Sequence, residues 1–325
     1  MACTGPEETG PSTGYSAIMR VALTGASGFI GAAIARRLQA DGHLVHGLVR
    51  SSSRRDHVDP HLDRVVVGVQ EQADHQDDLL ADADALVHNS VDWSVLKNES
   101  LQRHIEVNLT PSLRLFQAAA DRSLPVVFIS SVAVHHQMRD RWAGDIDEDH
   151  PTRPGNMYGA LKASLEAHLW ALHASKGLRF SALRPAAVYG IDPRLKRSIG
   201  YPIVTAIAEN HAYDRAGGGK FIHVEDVAAC TAAALERSSE TPGIYHLADC
   251  YARWGDLAGM IAEHLGIEAT INLDSPTAPR NMFTRREVQE ELGVGMDRGH
   301  EGIRAHLTEL TEIMVADGVI SAPAH

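Results

Sequence analysis

The feature that most constrains this chain is a glycine-rich turn between a predicted strand and a predicted helix. The strand is the apolar run Arg20–Thr24, and helical periodicity covers residues 30–40. Gly25, Gly28 and Gly31 stand at three-residue spacing between the two. The missing side chains permit a tight turn, and the first N–H groups of the helix favour an anion. The sequence therefore predicts a strand–turn–helix unit that accepts a pyrophosphate, with a turn that merely packs as the alternative.

Apolar segments and helical segments continue to alternate beyond this turn. Strands are predicted at residues 44–49, 65–69, 85–88, 125–129 and 179–184, and helices at residues 105–121 and 157–175. This alternation is typical of a parallel sheet whose strands are joined by crossover helices. We therefore expect an α/β fold.

The pattern also suggests how the chain is divided. Residues 1–18 are rich in Gly, Pro, Ser, Thr and Glu and lack the apolar core of a signal peptide, so they are expected to form a disordered lead-in. Residues 19–190 are predicted to form a nucleotide-binding domain. After Gly190 the pattern loosens, and residues 191–325 are predicted to form a smaller, mostly helical substrate-binding lobe, with residues 221–250 returning to the core sheet.

Charge and cysteine content restrict the partners of the protein. The formal net charge of −12 and the pI near 5.8 argue against a nucleic-acid binder. The cysteines at positions 3, 230 and 250 have no zinc-binding or disulfide spacing, which favours a reducing, cytoplasmic location and no metal site. The sequence has no apolar run of about 18 residues, so no membrane span is expected.

A tyrosine and a lysine stand four residues apart at the start of the helix predicted at residues 157–175. Tyr158 and Lys162 would share one helix face. A lysine beside a tyrosine favours the phenolate, and with a cationic ring near by the tyrosine pKa, about 10 in model peptides, would fall toward neutrality. Such a tyrosine can act as general acid or base at a carbinol carbon. A solvated pair on a helix surface is the alternative.

Together these motifs resemble the extended short-chain dehydrogenase/reductase family, in particular its epimerase/dehydratase-like members. That family has a Gly-x-x-Gly-x-x-Gly loop across which NAD(P) lies. The segments 184–190 (Arg-Pro-Ala-Ala-Val-Tyr-Gly) and 221–226 (Phe-Ile-His-Val-Glu-Asp) resemble two later family motifs. The resemblance covers residues from about 19 to 310 and implies a Rossmann-type, doubly wound parallel sheet.

The resemblance implies a set of catalytic roles. Ser131 and Tyr158 would hold one substrate oxygen, and Lys162 would lower the tyrosine pKa and bind the nicotinamide ribose. Asn108 matches the asparagine that helps to orient the lysine in the family, with an ordinary helix asparagine as the alternative. His135 and His136 replace the usual Tyr-Gly, and they are interpreted as pocket lining or plain loop.

The resemblance also implies which residues meet the cofactor. They are Gly25, Ser27, Gly28, Phe29, Ile30, Gly31, Arg50, Ser51, Arg54, His88, Asn89, Ser130, Tyr158, Lys162, Pro185 and Val188.

The end of the second predicted strand indicates which form of the cofactor is used. An acid there would accept from the ribose 2′-hydroxyl, whereas Arg50 offers charge and donors for a 2′-phosphate. This favours NADP over NAD, and a basic solvated loop is the alternative. The family commonly has Gly-Asp after the third strand, but Gly68 is followed here by Val69 and Gln70.

The substrate is constrained by one missing residue. Nucleotide-sugar enzymes of the family usually carry an arginine two residues before the aromatic of the Phe-x-x-Val-x-Asp segment, and Gly219 stands there, next to Lys220. This favours an NADP-dependent reductase of a small-molecule ketone or aldehyde. A nucleotide-sugar epimerase or dehydratase that retains NAD is the alternative, and a non-catalytic dinucleotide sensor is a third hypothesis. The resemblance also implies a homodimer, because family members often pair through two long helices, which here would be those near residues 105 and 157.

Overall fold

The computed structural model describes residues 17–98, 100–135, 141–237 and 241–321. Most of the predicted lead-in and His136 lie outside these residues. The strands are β1 (Arg20–Thr24), β2 (Leu44–Val49), β3 (Arg64–Val67), β4 (Ala85–His88), β5 (Val126–Ile129), β6 (Gly144–Ile146), β7 (Phe180–Pro185), β8 (Ala187–Tyr189), β9 (Ala212–Tyr213), β10 (Gly218–His223), β11 (Gly243–Leu247), β12 (Cys250–Arg253), β13 (Thr270–Ile271) and β14 (Asn281–Phe283).

The helices connect these strands and build the C-terminal part of the chain. They are α1 (Phe29–Ala40), α2 (Ala73–Leu80), α3 (Trp93–Asn98), α4 (Leu101–His104), α5 (Thr110–Asp121), α6 (Met157–Lys176), α7 (Tyr201–Asn210), α8 (Val224–Glu236), α9 (Trp254–Leu265) and α10 (Gly299–Ala316). Within the described ranges, none of them is long and apolar enough to cross a membrane.

Seven strands form one parallel sheet in the order β11-β7-β5-β4-β1-β2-β3. The chain runs outward from β1 through β2 to β3 and then returns to β4 on the other side of β1. The order therefore reverses between β1 and β4, and the carboxyl ends of these two strands flank a crevice where such sheets bind ligands. The predicted doubly wound α/β fold is confirmed.

Helices cover both faces of this sheet because each strand buries side chains on both sides. Val21 and Leu23 of β1 belong to the core beneath α1 and α8, whereas Ala22 points to the opposite core beneath α5 and α6. Such two-sided burial explains why the strands are apolar runs without polar alternation.

The C-terminal part has its own apolar core, built mainly by α7, α9 and α10. A three-stranded sheet in the order β12-β10-β8 lies against that core, while β11 joins the main sheet beside β7. A third small unit pairs β6 with β14. Its core contacts Val132 and Ala186, next to two residues expected at the site.

The predicted elements agree with the structure except at some ends. The strands predicted at residues 20–24, 44–49 and 85–88 are confirmed, while β3 is Arg64–Val67 rather than residues 65–69. The helix predicted at residues 105–121 begins with a π-helical turn, Ile105–Leu109, before α5.

Candidate active site

The glycine turn has the geometry that its spacing predicts. Gly25 has φ +68°, in the left-handed region, and the carboxyl end of β1 approaches the backbone of Asn89 and Ser90 so closely that a Cβ on Gly25 would lie 3.2 Å from it. A Cβ on Gly31 would lie 2.1 Å from the carbonyl oxygen of Gly25. Gly31 therefore allows α1 to pack against the turn, and Gly28 is the N-cap residue that precedes α1.

A cleft of about 900 Å³ opens above this turn at the reversal of strand order. Its lining contains, from the predicted cofactor set, Gly25, Ser27, Gly28, Phe29, Ile30, Arg50, Arg54 and Asn89. Its size suits a dinucleotide rather than a small anion, because drug-sized ligands occupy roughly 300–1,000 Å³. The first-turn N–H groups of α1 receive no side-chain cap from Gly28, which leaves them available to an anion in this cleft.

Four arginines make one end of the cleft basic. They are Arg50, Arg54, Arg194 and Arg197. Arg50 pairs with Asp92 at 2.9 Å and Arg54 pairs with Asp56 at 2.7 Å, so part of this charge is balanced within the protein. Ser51 is exposed and is not among the residues that line the cleft, whereas Ser53 is.

Tyr158 is not among the residues that line the cleft, but its ring packs against Trp93, which is. Ser131 lies beside it, and the Ser131 hydroxyl acts to lower the pKa of Tyr158. The oxygen of Ser131 accepts from the Ala133 N–H at 3.1 Å, which fixes the serine rotamer. Asn156 caps α6 by accepting from the Gly159 N–H, so Tyr158 lies in the first turn of a helix whose start is defined by its sequence.

Lys162 lies one turn further along α6 and is buried. Its Nζ donates to the carbonyl oxygen of Ile129 at 2.6 Å and lies 5.7 Å from the centre of the Tyr158 ring. Burial lowers the pKa of Lys162 to about 7, against the opposing charge of Glu166. Burial raises the pKa of Tyr158 to about 12, with the Ser131 hydroxyl acting in the other direction.

The fall in tyrosine pKa that the sequence predicted includes the effect of a cationic ring beside Tyr158. In the protein by itself, the pKa of Tyr158 is raised instead. The ammonium group of Lys162 is engaged by the Ile129 carbonyl, and Tyr158 is desolvated. A neutral phenol is a proton donor, which matters for the direction of the reaction.

Asn108 does not hold Lys162 by a direct hydrogen bond among the described residues. Its side chain instead accepts from the N–H of Asp92 at 2.7 Å and donates to the Asp92 carbonyl at 3.1 Å. The π-helical turn carries Asn108 toward the loop that follows β4. Trp93, the next residue of that loop, places its ring centre 4.5 Å from that of Tyr158. Sequence reasoning missed both Asp92 and Trp93.

His88 and Ser130 are turned away from the cleft, unlike their predicted cofactor roles. The ring of His88 is fully buried, bonded to Thr24 at 2.8 Å and to Ser112 at 2.9 Å, and burial lowers its pKa to about 3. The Ser130 hydroxyl donates to the buried carboxylate of Glu166. Both side chains stabilise the interior beneath the site.

The remaining predicted residues support the site from its rim. Pro185 and Val188 lie at the end of β7 and in β8 and are not among the residues lining the cleft, although the Pro185 carbonyl accepts from Ser131 at 3.5 Å. His135 is buried against His246, with their Nε2 atoms 3.1 Å apart. It therefore packs in the interior rather than lining the cleft.

The residues of the cleft fit a nicotinamide dinucleotide. The glycine turn leaves space that a Cβ would fill, and the arginines suit phosphate groups. Gln70 lines the cleft beside Gly68 and Val69, and its Oε1 atom is buried without a hydrogen-bond partner among the described residues. Such an acceptor suits the amino group of an adenine ring.

A parallel sheet in this order, with a glycine turn at its reversal point and a Tyr–Lys pair beside it, defines an extended short-chain dehydrogenase/reductase that depends on NAD(P). The family is shown directly by the sequence. The chain belongs to the NAD dependent epimerase/dehydratase family, whose model matches residues 21–248.

Known proteins of different activities are similar to this chain. A 3-diazoavenalumate denitrifying reductase from a Streptomyces species is 27% identical over 301 residues, covering 88% of this chain and 95% of that protein. A UDP-glucose 4-epimerase from Azospirillum brasilense is 30% identical over 191 residues, covering 57% and 54%. A polyketide synthase-nonribosomal peptide synthetase hybrid from Aspergillus japonicus is 31% identical over 201 residues, or 54% of this chain but 5% of that protein.

Solved structures share the fold. The UDP-glucose 4-epimerase of Thermotoga maritima has a TM-score of 0.76 at 17% identity, covering 92% of this chain and 99% of that chain. A UDP-N-acetylglucosamine 4-epimerase from Methanobrevibacter ruminantium has a TM-score of 0.76 at 21% identity, with coverage of 92% and 99%.

Proposed function

We propose that this protein is an NADP-dependent reductase of a small-molecule ketone or aldehyde, in which Tyr158 is the general acid. The observation that carries the proposal is that Tyr158 lies beside Ser131, whose hydroxyl acts on its pKa, and beside the buried Lys162, whose Nζ is 5.7 Å from the centre of its ring. Two hydroxyls at this point can hold one carbonyl oxygen. Burial keeps Tyr158 protonated, with a pKa raised to about 12, and so ready to donate in the direction of reduction.

Each residue then has a defined part in the reaction. When bound, the nicotinamide cofactor would supply the hydride to the carbonyl carbon. Ser131 holds the carbonyl oxygen, and Tyr158 donates its proton to that oxygen as negative charge develops there. The ammonium group of Lys162 stabilises the resulting phenolate, and the proton is later recovered from solvent.

The preference for NADP is supported by the basic end of the cleft. Arg50 and Arg54 follow β2, and the described part of that segment offers no acid in the position that would accept from a ribose 2′-hydroxyl. Arg194 and Arg197 add to the positive charge. The reductase assignment is further supported by the similarity to a protein named a reductase along 95% of its length.

A nucleotide-sugar epimerase or dehydratase that retains NAD is the second candidate. It is favoured by the 30% identity to a UDP-glucose 4-epimerase. Against it stands Gly219, where the arginine that holds a diphosphate is expected. A protein that senses the dinucleotide without catalysis is less favoured, because the Tyr158 and Lys162 side chains are both present and adjacent.

Two measurements test the proposal. The first identifies the dinucleotide that is carried through purification, which is expected to be loosely bound NADP; tightly held NAD would favour the epimerase. The second follows NADPH and NADH oxidation with a panel of ketones and aldehydes. Tyr158→Phe is expected to lower kcat about 10²- to 10⁴-fold while leaving NADPH affinity unchanged. If the wild-type protein oxidised neither cofactor with any carbonyl, the sensor hypothesis would replace the reductase.

We also propose that the protein is a homodimer. Ile105, Met157 and Trp170 are large apolar side chains that are exposed on the helical segments expected to pair. A second copy would cover them. Light scattering on the purified protein is expected to give twice the mass of the chain.

A further inference from the structure

Three consecutive residues at the end of β5 hold three successive turns of α6. The Ser131 hydroxyl acts on the pKa of Tyr158, the Ile129 carbonyl accepts from Lys162, and the Ser130 hydroxyl donates to Glu166. Tyr158, Lys162 and Glu166 are spaced by four residues and so share one helix face. Tyr158 and Lys162 have parts in the proposed reaction, whereas the third residue, Glu166, has none.

Glu166 is tied to the sheet by a buried ion pair. Arg184 of β7 donates from Nε at 3.0 Å and from Nη2 at 2.8 Å to its two carboxylate oxygens. Both residues are only 4% exposed. The Nη1 of Arg184 donates to the carbonyl of Glu148 at 3.0 Å, so the pair is hydrogen-bonded on several sides. The free energy needed to remove two charges from water is about as large as the energy of their attraction. A buried ion pair of this kind therefore adds little to the stability of the fold and mainly fixes the positions of its side chains.

The same carboxylate is the anion that acts on Lys162. The ionisable groups around this lysine are Tyr158 and Glu166 on α6 and His88 on β4, while Arg184 on β7 reaches it through Glu166. Glu166 raises the lysine pKa against the effect of burial. His88 is neutral because burial lowers its pKa to about 3.

We propose that Glu166 is a positioning residue for the Tyr158 and Lys162 pair, clamped by Ser130 and Arg184 so that its carboxylate fixes α6 over the end of β5 and preserves the charge of the lysine. The inference rests on the roles proposed above for Tyr158 and Lys162. It assigns Ser130 to this clamp rather than to the cofactor.

The first test is the pH dependence of turnover with NADPH and the best carbonyl substrate. A charged Lys162 supports proton donation by Tyr158, so kcat falls as the pH rises through the lysine pKa. Glu166→Gln removes the neighbouring charge and is expected to move this fall about 1 pH unit lower, with little change in KM. Ser130→Ala keeps the carboxylate and is expected to leave the fall where it is in the wild type.

Loss of the carboxylate also leaves Arg184 unpaired in the core, which destabilises the fold. The double variant Glu166→Gln with Arg184→Met removes both charges. It is expected to recover much of the melting temperature and to keep the shifted pH profile. A folded Glu166→Gln protein with the wild-type profile would overturn the proposal, because a purely structural residue moves stability alone.

A second test does not depend on turnover. The folded pKa of Lys162 is lowered, so between that pKa and 10.5 the unfolded state binds the proton and stability rises with pH. In Glu166→Gln this rise should begin at lower pH, below about 7. The difference should vanish in a Lys162→Met background. If the difference between the two stability curves persists in that background, Glu166 does not act on Lys162. If the difference vanishes but the protein reduces no carbonyl, only the reductase proposal fails.

Discussion

Asn108 binds both backbone polar groups of Asp92, with its amide oxygen 2.7 Å from the Asp92 nitrogen and its amide nitrogen 3.1 Å from the Asp92 oxygen. This contact fixes the loop after β4. Through that loop it connects the basic end of the cleft with Tyr158, because the Asp92 carboxylate pairs with Arg50 and the next residue, Trp93, lies against Tyr158.

Replacing Asn108 should therefore affect stability and cofactor binding together. Asn108→Ala leaves two backbone groups of Asp92 without partners, which costs about 1–3 kcal/mol if they stay shielded from water. We expect a lower melting temperature and weaker NADPH binding, measured by calorimetry and by fluorescence titration. Gln117→Ala is the matched control, since it removes a half-buried amide whose hydrogen bond within the described residues is to Asp121. Equal NADPH affinity in both variants would contradict the role given to this loop.

The choice between NADP and NAD should depend on Arg50 and Asp92 in opposite directions. Hydrogen bonds to a charged group contribute about 1.5–3 kcal/mol, so Arg50→Met should weaken NADPH binding roughly 10- to 100-fold and leave NADH binding almost unchanged. Asp92→Asn should favour NADPH further, because it frees the guanidinium from its partner. The readout is the ratio of the two dissociation constants.

The matched control for this experiment is Arg55→Met. Arg55 lies in the same basic segment, is 3.6 Å from Asp59 and is not among the residues that line the cleft. Its replacement should leave the ratio unchanged. A loss of NADH affinity in Arg50→Met as large as the loss of NADPH affinity would show that Arg50 does not read the 2′-phosphate.

The adenine ring should be recognised by Gln70. The amide nitrogen of Gln70 donates to the Val107 carbonyl at 2.9 Å, which orients its unpartnered oxygen. We expect NADP to bind roughly 2- to 10-fold more tightly than its hypoxanthine analogue, in which a carbonyl replaces the amino group, because one neutral hydrogen bond contributes about 0.5–1.5 kcal/mol. Gln70→Met should abolish this discrimination.

Gln76→Met is the control for Gln70. Gln76 is also a buried glutamine, and its Oε1 has no hydrogen-bond partner in the part of the chain that the structure describes, but it is not among the residues of the cleft. Its replacement should preserve the preference for adenine. The affinities for NADP and its hypoxanthine analogue can be measured by isothermal calorimetry, which requires no turnover. Equal affinity of the wild-type protein for the two dinucleotides would remove Gln70 from the adenine site.

Local signals in the sequence were enough to predict the sheet, the glycine turn and the Tyr158 and Lys162 pair. Each depends on residues close together in the chain: a buried run, a spacing of three, a spacing of four. The directions in which side chains point were harder to predict from the sequence. The four residues of β4 are all buried, so no polar alternation indicates that His88 faces the interior rather than the cleft.

Contacts between distant segments account for the rest. Asn108 meets Asp92 because a π-helical turn widens the helix at that point, and helical periodicity does not predict such a turn. Glu166 reads as one polar residue of an amphipathic helix until β7 brings Arg184 to it. The pKa of Tyr158 could not be predicted from the neighbouring lysine alone, because the burial of both groups decides it.

The carboxyl group of Glu148, two residues after β6, should make the stability of the fold depend on pH near neutrality. Burial raises the pKa of Glu148 to about 7, and Glu287 near by acts in the same direction. A carboxyl group whose folded pKa is raised contributes stability that is present below about pH 4.5 and is lost as the pH rises through 7. Glu148→Gln removes this titration. Relative to the wild type, its melting temperature should therefore rise between pH 5 and pH 8, whereas Asp149→Asn, an exposed neighbour, should change nothing. Parallel curves for wild type and Glu148→Gln across that range would mean that Glu148 is ionised in the folded protein at both pH values.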